Sequence, residues 1–435
     1  MRRVAILGGG WAGMAAAVAA AQAGHSVTVF EAARSLGGRA RGVPVTLPDG
    51  QHLQLDNGQH ILIGAYTDSL RLMREVGVDP ETALLRRPLA LTFPDGTGLA
   101  LPRGPAPLDA VAGILRARGW HWRDKLSLLR TATAWQLGGF RCAPGITVAT
   151  LCAPLSQRLR DGFIEPLCVS ALNTPAASAS GAVFLRVLRD AMFGVRGGSN
   201  LLLPCVDLGA LFPEAAARWL THRGHRVHTG ARVQTLQAQN SAAAPAAQPA
   251  WQVRGEAFDR VILATPALEA ARLSLAAAAA VPEPIARSLQ AWAATAQALR
   301  FEAITTVYAM APAGLPRPML ALRCDAQNPA QFVFDRGQLG GPAGLLAFVI
   351  SASTGERDAL QARVLGQART QLGLELRPVQ TLTDRRATFA CTPGLQRPSA
   401  ELVPGLVGAG DYIDGPYPAT LEGAVRSGLA AGGLA

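Results

Sequence analysis

The sequence predicts an α/β fold in two lobes, with a parallel sheet assembled from segments far apart in the chain. Three observations carry this expectation. Residues 2–41 alternate apolar, β-branched runs with an Ala-rich segment around a glycine-rich turn, the pattern of a strand–helix–strand unit. A second glycine-rich passage from strand to helix closes the chain at 406–431. At 435 residues the chain is too long for one ordinary hydrophobic core.

Val4 to Leu7 is an apolar run suited to a strand buried on both faces. Gly8, Gly10 and Gly13 follow as G-x-G-x-x-G, enclosing Trp11 and Ala12. Ala12 to Ala23 has helical propensity and stops at Gly24. Ser26 to Phe30 is a second strand, closed by Glu31 and Ala32. This is the order of a Rossmann-type dinucleotide site. Its glycines allow a tight turn, close approach of backbone to pyrophosphate and close helix–strand packing. The helix N-terminus offers N–H groups and a positive dipole end to phosphate, and the acid accepts from a ribose hydroxyl. Arg34, Gly37, Gly38 and Arg39 then form R-x-x-G-G-R, a second clamp for phosphate oxygens. A nicotinamide site has no need of it. The addition points to FAD.

Composition narrows the function classes. Hydrophobic residues make up 49% of the chain and charged residues 16%, enough apolar material for the cores and an interior channel. The net charge of +11 comes from arginine, since Lys125 is the only lysine. The arginines are scattered, with no basic run interleaved with aromatics, which points away from nucleic acid. Attraction to an anionic membrane surface and a GC-rich coding bias account for the charge equally well. The six cysteines show no C-x-x-C or regular spacing, which argues against structural zinc or a disulfide framework and for a reducing compartment. His222, His225 and His228 lie close together without a cysteine or carboxylate pattern, so no metal site is expected. The N-terminus runs straight into a strand, leaving no room for a cleavable signal, and no apolar run reaches eighteen residues. A cytoplasmic location follows, with peripheral contact at the inner face of the cell membrane as its variant. The oligomeric state is not legible.

Further along, Leu47 to Gly50 reads as a turn, and Leu53 to Ile63 (LQLDNGQHILI) as strand material around Asp56-Asn57-Gly58. A hairpin turn accounts for D-N-G. Gln59 and His60 entering an apolar segment equally suggest a ligand contact. Tyr66 to Val76 is an amphipathic helix, and 88–101 two short strands about Asp95-Gly96. Leu108–Ala117, Asp124–Leu137, Leu155–Leu172 and Ser178–Phe193 are predicted helices, carrying many of the aromatics. Leu211–Arg223 is a helix, Arg226–Val233 strand-like, Ala242–Pro249 a low-complexity loop, and Phe258–Leu263 a strong buried strand ended by Ala264-Thr265-Pro266. Strands at 303–310, 331–334, 345–350 and 386–389 and a helix at 358–372 complete this part. At the C-terminus, Leu406 to Gly408 is a strand, Gly410-Asp411 follows, and a helix covers Ala419 to Ala431. Small residues at Ala424, Ser427 and Gly428 let that helix pack closely. Its N-terminus suits the partial negative charge of a reduced flavin's N1–O2 edge.

G-x-G-x-x-G with Glu31 and G-G-R-A, then L-D-N-G-Q-H at Leu55–His60, and finally Y-P-A-T-L-E-G-A-V-R-S-G at Tyr417–Gly428 together resemble the amine oxidase/phytoene desaturase superfamily of flavoproteins. Within it, the last two stretches resemble the squalene-associated, FAD-dependent desaturase-like branch of hydroxysqualene dehydroxylases in hopanoid biosynthesis. The resemblance implies a discontinuous FAD-binding domain at 1–80, 205–270 and 395–435, with an α+β substrate domain at 81–204 and 271–394. It implies that Gly8, Gly10, Trp11, Ala12, Gly13, Glu31 and Ala32 hold the ADP half of FAD, with Gly38 and Arg39 by the pyrophosphate. Asn57, Gly58, Gln59 and His60 would pass near the flavin. Val233 would meet the adenine through its backbone, with Ala264 nearby. Asp411 would hold a ribityl or phosphate oxygen, and Ala419, Thr420 and Leu421 would meet the flavin ring. The implied substrate is a lipophilic isoprenoid. Amine oxidases of the superfamily often keep a lysine near flavin N5, whereas Lys125 falls in the helical lobe, which speaks against amine oxidation.

The implied reaction is reductive: hydroxysqualene loses its hydroxyl and takes a hydride from reduced FAD. An allylic alcohol can ionise once its oxygen is protonated, which needs an acid and a dry apolar channel. His60 is the expected proton donor, with Tyr412 and Tyr417 as weaker candidates for polar contacts. A polyene desaturase or amine oxidase, and a non-catalytic flavin- or lipid-binding protein, are the alternatives.

Overall fold

A computed structural model describes residues 1–47, 50–239 and 250–434. The strand Arg3–Leu7 is an interior strand of a six-stranded sheet. Across it the order is Arg226–His228, Ser26–Phe30, Arg3–Leu7, Arg260–Leu263, Leu406–Gly408 and Glu401–Val403. The first five are parallel and the last is antiparallel. Val4 pairs with Val27 on one side and Arg260 on the other. Parallel neighbours need crossovers. Here one crossover is the helix Trp11–Gln22, and others are excursions of many tens of residues that build the second lobe.

The first helix is apolar nearly all round and buried along its length, the mark of an interior helix. One face lies on the sheet. Another meets the last helix, Leu421–Gly433, at backbone distance: a Cβ at Gly428 would sit 2.1 Å from the Ala12 carbonyl oxygen, and one at Gly432 2.4 Å from that of Ala16. No larger residue fits either place. Glu422, fully buried in the last helix, ties it to the helix Thr67–Glu75. Its carboxylate accepts from Asp68 N (3.1 Å), Ser69 N (3.0 Å), Ser69 Oγ (2.7 Å) and Arg426 Nε (2.8 Å). One carboxylate thus caps a neighbouring helix and neutralises a cation.

The second lobe has a five-stranded antiparallel sheet, ordered Met319–Ala321, Phe332–Asp335, Leu345–Ser351, Phe301–Met310 and Arg377–Phe389. Its period of two divides the side chains. Val333 and Phe348 pack with Leu360 and Val364 of the helix Arg357–Leu372 on one face, while Phe332, Phe334 and Val349 join the main core on the other. The helices Leu108–Arg116, Trp122–Leu137, Glu165–Leu172 and Gly181–Arg189 complete the lobe.

Several expectations are corrected. Leu155–Leu172 is not one α-helix: Gln157–Leu159 passes into a π-turn at Arg160–Ile164 before Glu165–Leu172. Pro166 has no N–H for the usual bond to the preceding turn, and the wider turn accommodates it. Ser178–Phe193 likewise ends in a π-turn at Asp190–Gly194. Phe258–Leu263 splits into Glu256–Phe258, paired with Ala250–Val253, and Arg260–Leu263 in the parallel sheet. Arg226–Val233 is a strand only to His228. The last helix starts at Leu421 rather than Ala419, because Thr420 takes the cap position and its Oγ1 accepts from Gly423 N (2.9 Å). D-N-G is no hairpin turn, since His52–Asp56 pairs backward with Gly42–Thr46 and the chain then runs on past the cavity described below. The turn at Leu47–Gly50 falls partly, and the loop at Ala242–Pro249 wholly, outside the described residues.

Candidate active site

A cavity of about 800 Å³ opens where the strands of the parallel sheet end and continues toward the antiparallel sheet of the second lobe. That volume suits a large cofactor together with part of a substrate. Leu7 and Gly8 lead into it from the first strand. Gly8 has φ +113°, and a Cβ there would lie 2.4 Å from the Ala264 carbonyl oxygen. Gly10 begins the first helix, which has no side-chain cap bond and no acid in its first turn. The dipole end at Trp11 and Ala12 therefore faces the cavity uncompensated. Around Gly10 there is room: the atoms nearest an added Cβ lie 3.8 Å away, in Gly37 and Gly38. Gly13 does not line the cavity. A Cβ there would come 1.9 Å from the Gly8 carbonyl oxygen, so this glycine sets helix–strand packing, and its expected ligand contact is corrected to that role.

Glu31 is oriented by two backbone donors, Gly9 N to Oε2 (2.6 Å) and Ala33 N to Oε1 (2.7 Å), and lines the cavity with Ala32. Gly37 and Gly38 both have positive φ, at +104° and +62°, so the G-G pair makes a turn that L side chains would strain. Arg39 does not stand free. Nη2 is ion-paired with Asp411, and Nη1 donates to the Ala387 carbonyl (2.7 Å). Burial pulls this guanidinium down, but the Asp411 carboxylate, helped by Asp384, holds it above the ordinary arginine value. Arg34, the other arginine of the expected clamp, is exposed and lies outside the cavity wall, whereas Arg41 is in it. Asn57 fixes the loop, donating to the Arg39 carbonyl (2.8 Å) and accepting from Arg41 N (3.2 Å). Val233, Ala264, Ala419, Thr420 and Leu421 all line the same cavity, as do Gly38, Gly58, Gln59 and His60.

The polar wall continues in Tyr412, an expected polar contact, and in Tyr66 and Asn173, which sequence patterns did not single out. Tyr66 and Tyr412 both line the cavity, and burial raises both phenols far enough to keep their protons. Tyr417 does not line it and lies under the Arg426 guanidinium instead, 4.5 Å from Cζ to ring centre. Asn173, in left-handed backbone at φ +45°, ends the helix Glu165–Leu172. It fastens that helix to the sheet by accepting from Ala352 N (2.8 Å) and donating to Thr388 Oγ1 (2.9 Å). Toward the second lobe the wall carries the apolar Val169, Leu172, Ile304, Phe332, Phe334 and Val349, beside the polar Ser351, Asp384 and Arg386. No lysine reaches it among the described residues; Lys125 Nζ donates to the Leu115 carbonyl elsewhere (2.7 Å).

His60 is placed in the wall, but not as the acid expected of it. Burial lowers its imidazole from 6.5 to about 4, and Nδ1 lies 2.5 Å from the Gly58 carbonyl oxygen. A carbonyl only accepts, so Nδ1 carries the hydrogen. At neutral pH the ring is then uncharged, and Nε2 has a lone pair and no proton. The expectation is corrected: His60 offers an acceptor to the cavity. Nearby, Asp56 goes the other way. Burial raises it from 3.8 to about 7 against the pull of Arg336; Oδ1 accepts from Leu208 N (2.9 Å), and Oδ2 has no protein partner among the described residues.

These two groups predict an opposed pH dependence. As pH falls from about 6.5 to about 4, the unfolded chain protonates His60 and the folded chain does not, so stability is lost. As pH falls from about 7 to about 3.8, the folded chain protonates Asp56 before the unfolded one, so stability is gained. Compared with wild type in urea denaturation across this window, His60→Gln shifts the slope toward stabilisation at acid pH. Asp56→Asn shifts it toward destabilisation. Identical slopes in all three proteins contradict the assignment.

This arrangement, a parallel sheet whose loops and first helix open onto a cavity shared with an antiparallel sheet, defines a flavoprotein oxidoreductase. The chain belongs to the family of flavin containing amine oxidoreductases, whose sequence profile matches residues 11–432, and it is a FAD-dependent enzyme. More particularly, it is similar from end to end to hydroxysqualene dehydroxylase of Rhodopseudomonas palustris: 29% identity over 465 aligned residues, covering 100% of this chain and 98% of that one. The hydroxysqualene dehydroxylase of Zymomonas mobilis is 25% identical over 459 residues, covering 99% and 98%. Among solved structures, an oxidoreductase from Methanosarcina mazei has the same fold, with TM-score 0.70 at 16% identity over 98% of this chain and 99% of that one.

The residues present fit FAD. Three buried polar atoms of the wall, Gln59 Nε2, Thr265 Oγ1 and Tyr412 OH, have no partner within the described protein. Buried groups left so are costly, about 1–3 kcal/mol each, unless a ligand completes them. With the uncapped helix end and the oriented Glu31, they form a donor and acceptor set suited to a diphosphate, a ribose and a polar heterocycle.

Proposed function

We propose that this enzyme replaces the hydroxyl group of hydroxysqualene by hydride, releasing squalene and water, in the service of hopanoid synthesis. The observation that carries the reading is the end-to-end similarity to hydroxysqualene dehydroxylases. The apolar extension of the cavity and its lysine-free wall support it.

In this reading, residues 1–80, 205–270 and 395–435 hold the cofactor, and 81–204 with 271–394 hold a lipophilic isoprenoid. Gly10, Trp11 and Ala12 would present backbone N–H groups to the pyrophosphate, Gly8, whose own N–H donates to the Phe30 carbonyl (2.8 Å), would shape the turn beneath it, and Gly13 packs the helix that carries them. Glu31 and Ala32 take the ribose, and Val233 and Ala264 flank the adenine. Arg39, held by Asp411, stands with Gly38 at the phosphates. Ala419, Thr420 and Leu421, at the second helix N-terminus, would hold the flavin ring together with Asn57, Gly58, Gln59 and His60. Reduced FAD supplies the hydride when bound. The departing hydroxyl needs a proton, and among the wall groups Tyr412 and Tyr66 keep theirs at neutral pH. Neutral His60 accepts a hydrogen bond and so orients its donor. Phe332, Phe334 and Val349 exclude water from the reacting carbon.

Anaerobic mixing of photoreduced enzyme with hydroxysqualene tests this. Flavin reoxidation matched by squalene formation is the expected result, and a flavin that stays reduced sinks the proposal. Bleaching of oxidised flavin by a polyene or an amine instead would favour desaturation or amine oxidation.

A further inference from the structure

The helix Leu108–Arg116 carries Leu108, Val111 and Leu115 at spacings of three and four, on one stripe. All three are exposed, Leu108 to 66%, while Gly113 and Ile114 face the core. Trp122, which opens the helix Trp122–Leu137, is 65% exposed. Protruding large apolar side chains this close together call for a partner. The surrounding charge says which kind. Residues 101–145 contain seven cations, among them Arg103, Arg116, Arg118, Arg123 and Lys125, and two acids, Asp109 and Asp124. Both acids are buried, and Asp124 is engaged by Ser156 Oγ (2.7 Å) and the His121 N–H (3.0 Å). None of the seven cations forms an ion pair with the described protein.

We propose that this helical pair is a docking surface for an anionic lipid bilayer, with Leu108, Val111, Leu115 and Trp122 inserted below the headgroups and the cations at headgroup level. A helix with protruding apolar residues, an interfacial tryptophan and basic flanks has the composition of an interfacial element. A second copy is disfavoured by the same charge: a two-fold contact would set seven uncompensated cations against seven. The surface is also joined to the cavity. Trp120, between the two helices, packs edge-on against Phe163 with ring centres 5.4 Å apart. Phe163 lies in the π-turn that runs into Glu165–Leu172, whose last residues line the cavity. The inference extends the reading of a lipid substrate, since docking there puts the lobe that receives it against the phase where such a lipid dissolves.

The test uses flavin-loaded enzyme without substrate, sedimented with phosphatidylcholine vesicles or with vesicles containing roughly a third phosphatidylglycerol. Expected is binding to the anionic vesicles at least about tenfold stronger than to the neutral ones, and lost as salt rises from about 0.1 M to about 1 M. Leu108→Glu with Trp122→Glu reduces binding at least about tenfold, and Arg116→Glu with Arg123→Glu does so independently. Arg357→Glu with Arg363→Glu, both exposed on the helix Arg357–Leu372, serves as a control that matches the charge change of the double arginine variant. Flavin absorbance and circular dichroism confirm folding of every variant. Equal binding by wild type and both helix variants overturns the proposal, as does an equal loss in the Arg357 and Arg363 control. A dimer that the glutamate variants split, with vesicle binding unchanged, also overturns it in favour of self-association. Turnover of hydroxysqualene in detergent micelles reads the catalytic proposal separately, and the helix variants retain it.

Discussion

Gly10→Ala is expected to yield a folded protein that has lost its flavin. Gly10 has φ −79°, and the atoms nearest an added methyl are 3.8 Å away, so the chain itself accommodates alanine. The methyl occupies the space by which a diphosphate would approach the helix N-terminus. Overpacking of that kind costs about 1–3 kcal/mol, roughly five- to a hundred-and-fiftyfold in flavin Kd. Gly8→Ala separates this from a folding defect. At φ +113°, with the Ala264 carbonyl 2.4 Å from the new Cβ, backbone strain and overlap each cost about 1–3 kcal/mol. That is a large part of the roughly 5–15 kcal/mol that holds a typical fold. Titration of deflavinated protein with FAD, beside urea denaturation of the same samples, checks both. Unaltered flavin affinity in folded Gly10→Ala would contradict the placement of the pyrophosphate.

Glu422→Ala is expected to destabilise the protein by about 3–5 kcal/mol, the usual loss when one partner of a buried ionic network is removed. The substitution leaves Asp68 N and Ser69 N at the start of a helix without an acceptor, and Arg426 with Asp68 as its remaining ion-pair partner. It also loosens that helix beside Tyr66, so flavin binding weakens as well. Glu422→Gln keeps the volume and one accepting oxygen and recovers part of the loss. The urea midpoint measures the effect. A midpoint equal to wild type would mean that the buried carboxylate holds nothing together.

The local parts of the site were legible because their geometry is written in adjacent residues. Gly8, Gly10, Glu31, Gly38 and Thr420 owe their positions to turns and helix ends that a few neighbours specify. Gly13 was legible as a required glycine, yet its contact with the Gly8 carbonyl is visible only once helix and strand are packed. Tyr66 and Asn173 arrive at the cavity from separate lobes and different elements, with no common spacing to announce them. The chemical state of His60 was the least legible of all. A histidine in a polar stretch looks like an acid, and only burial and the Gly58 carbonyl turn it into an acceptor. The π-turns were hidden for a similar reason: Pro166 signals a local disturbance, but whether the helix kinks, stops or widens depends on what packs against it.

The contact of Gly428 and Gly432 with Ala12 and Ala16 has a consequence for how the protein is made. The first helix leaves the ribosome long before Leu421–Gly433, the helix that covers it, has been made. Domains assemble from the N-terminus as translation proceeds, but this sheet lacks Leu406–Gly408 and its outer helix until residues 406–433 have been made. A nascent chain stopped short of Leu421 exposes the apolar side of the first helix and cannot finish the flavin pocket. Cofactor capture is thereby expected only once residues 406–433 have been made, and termination before Leu421 is expected to yield a chaperone client rather than a partly active enzyme.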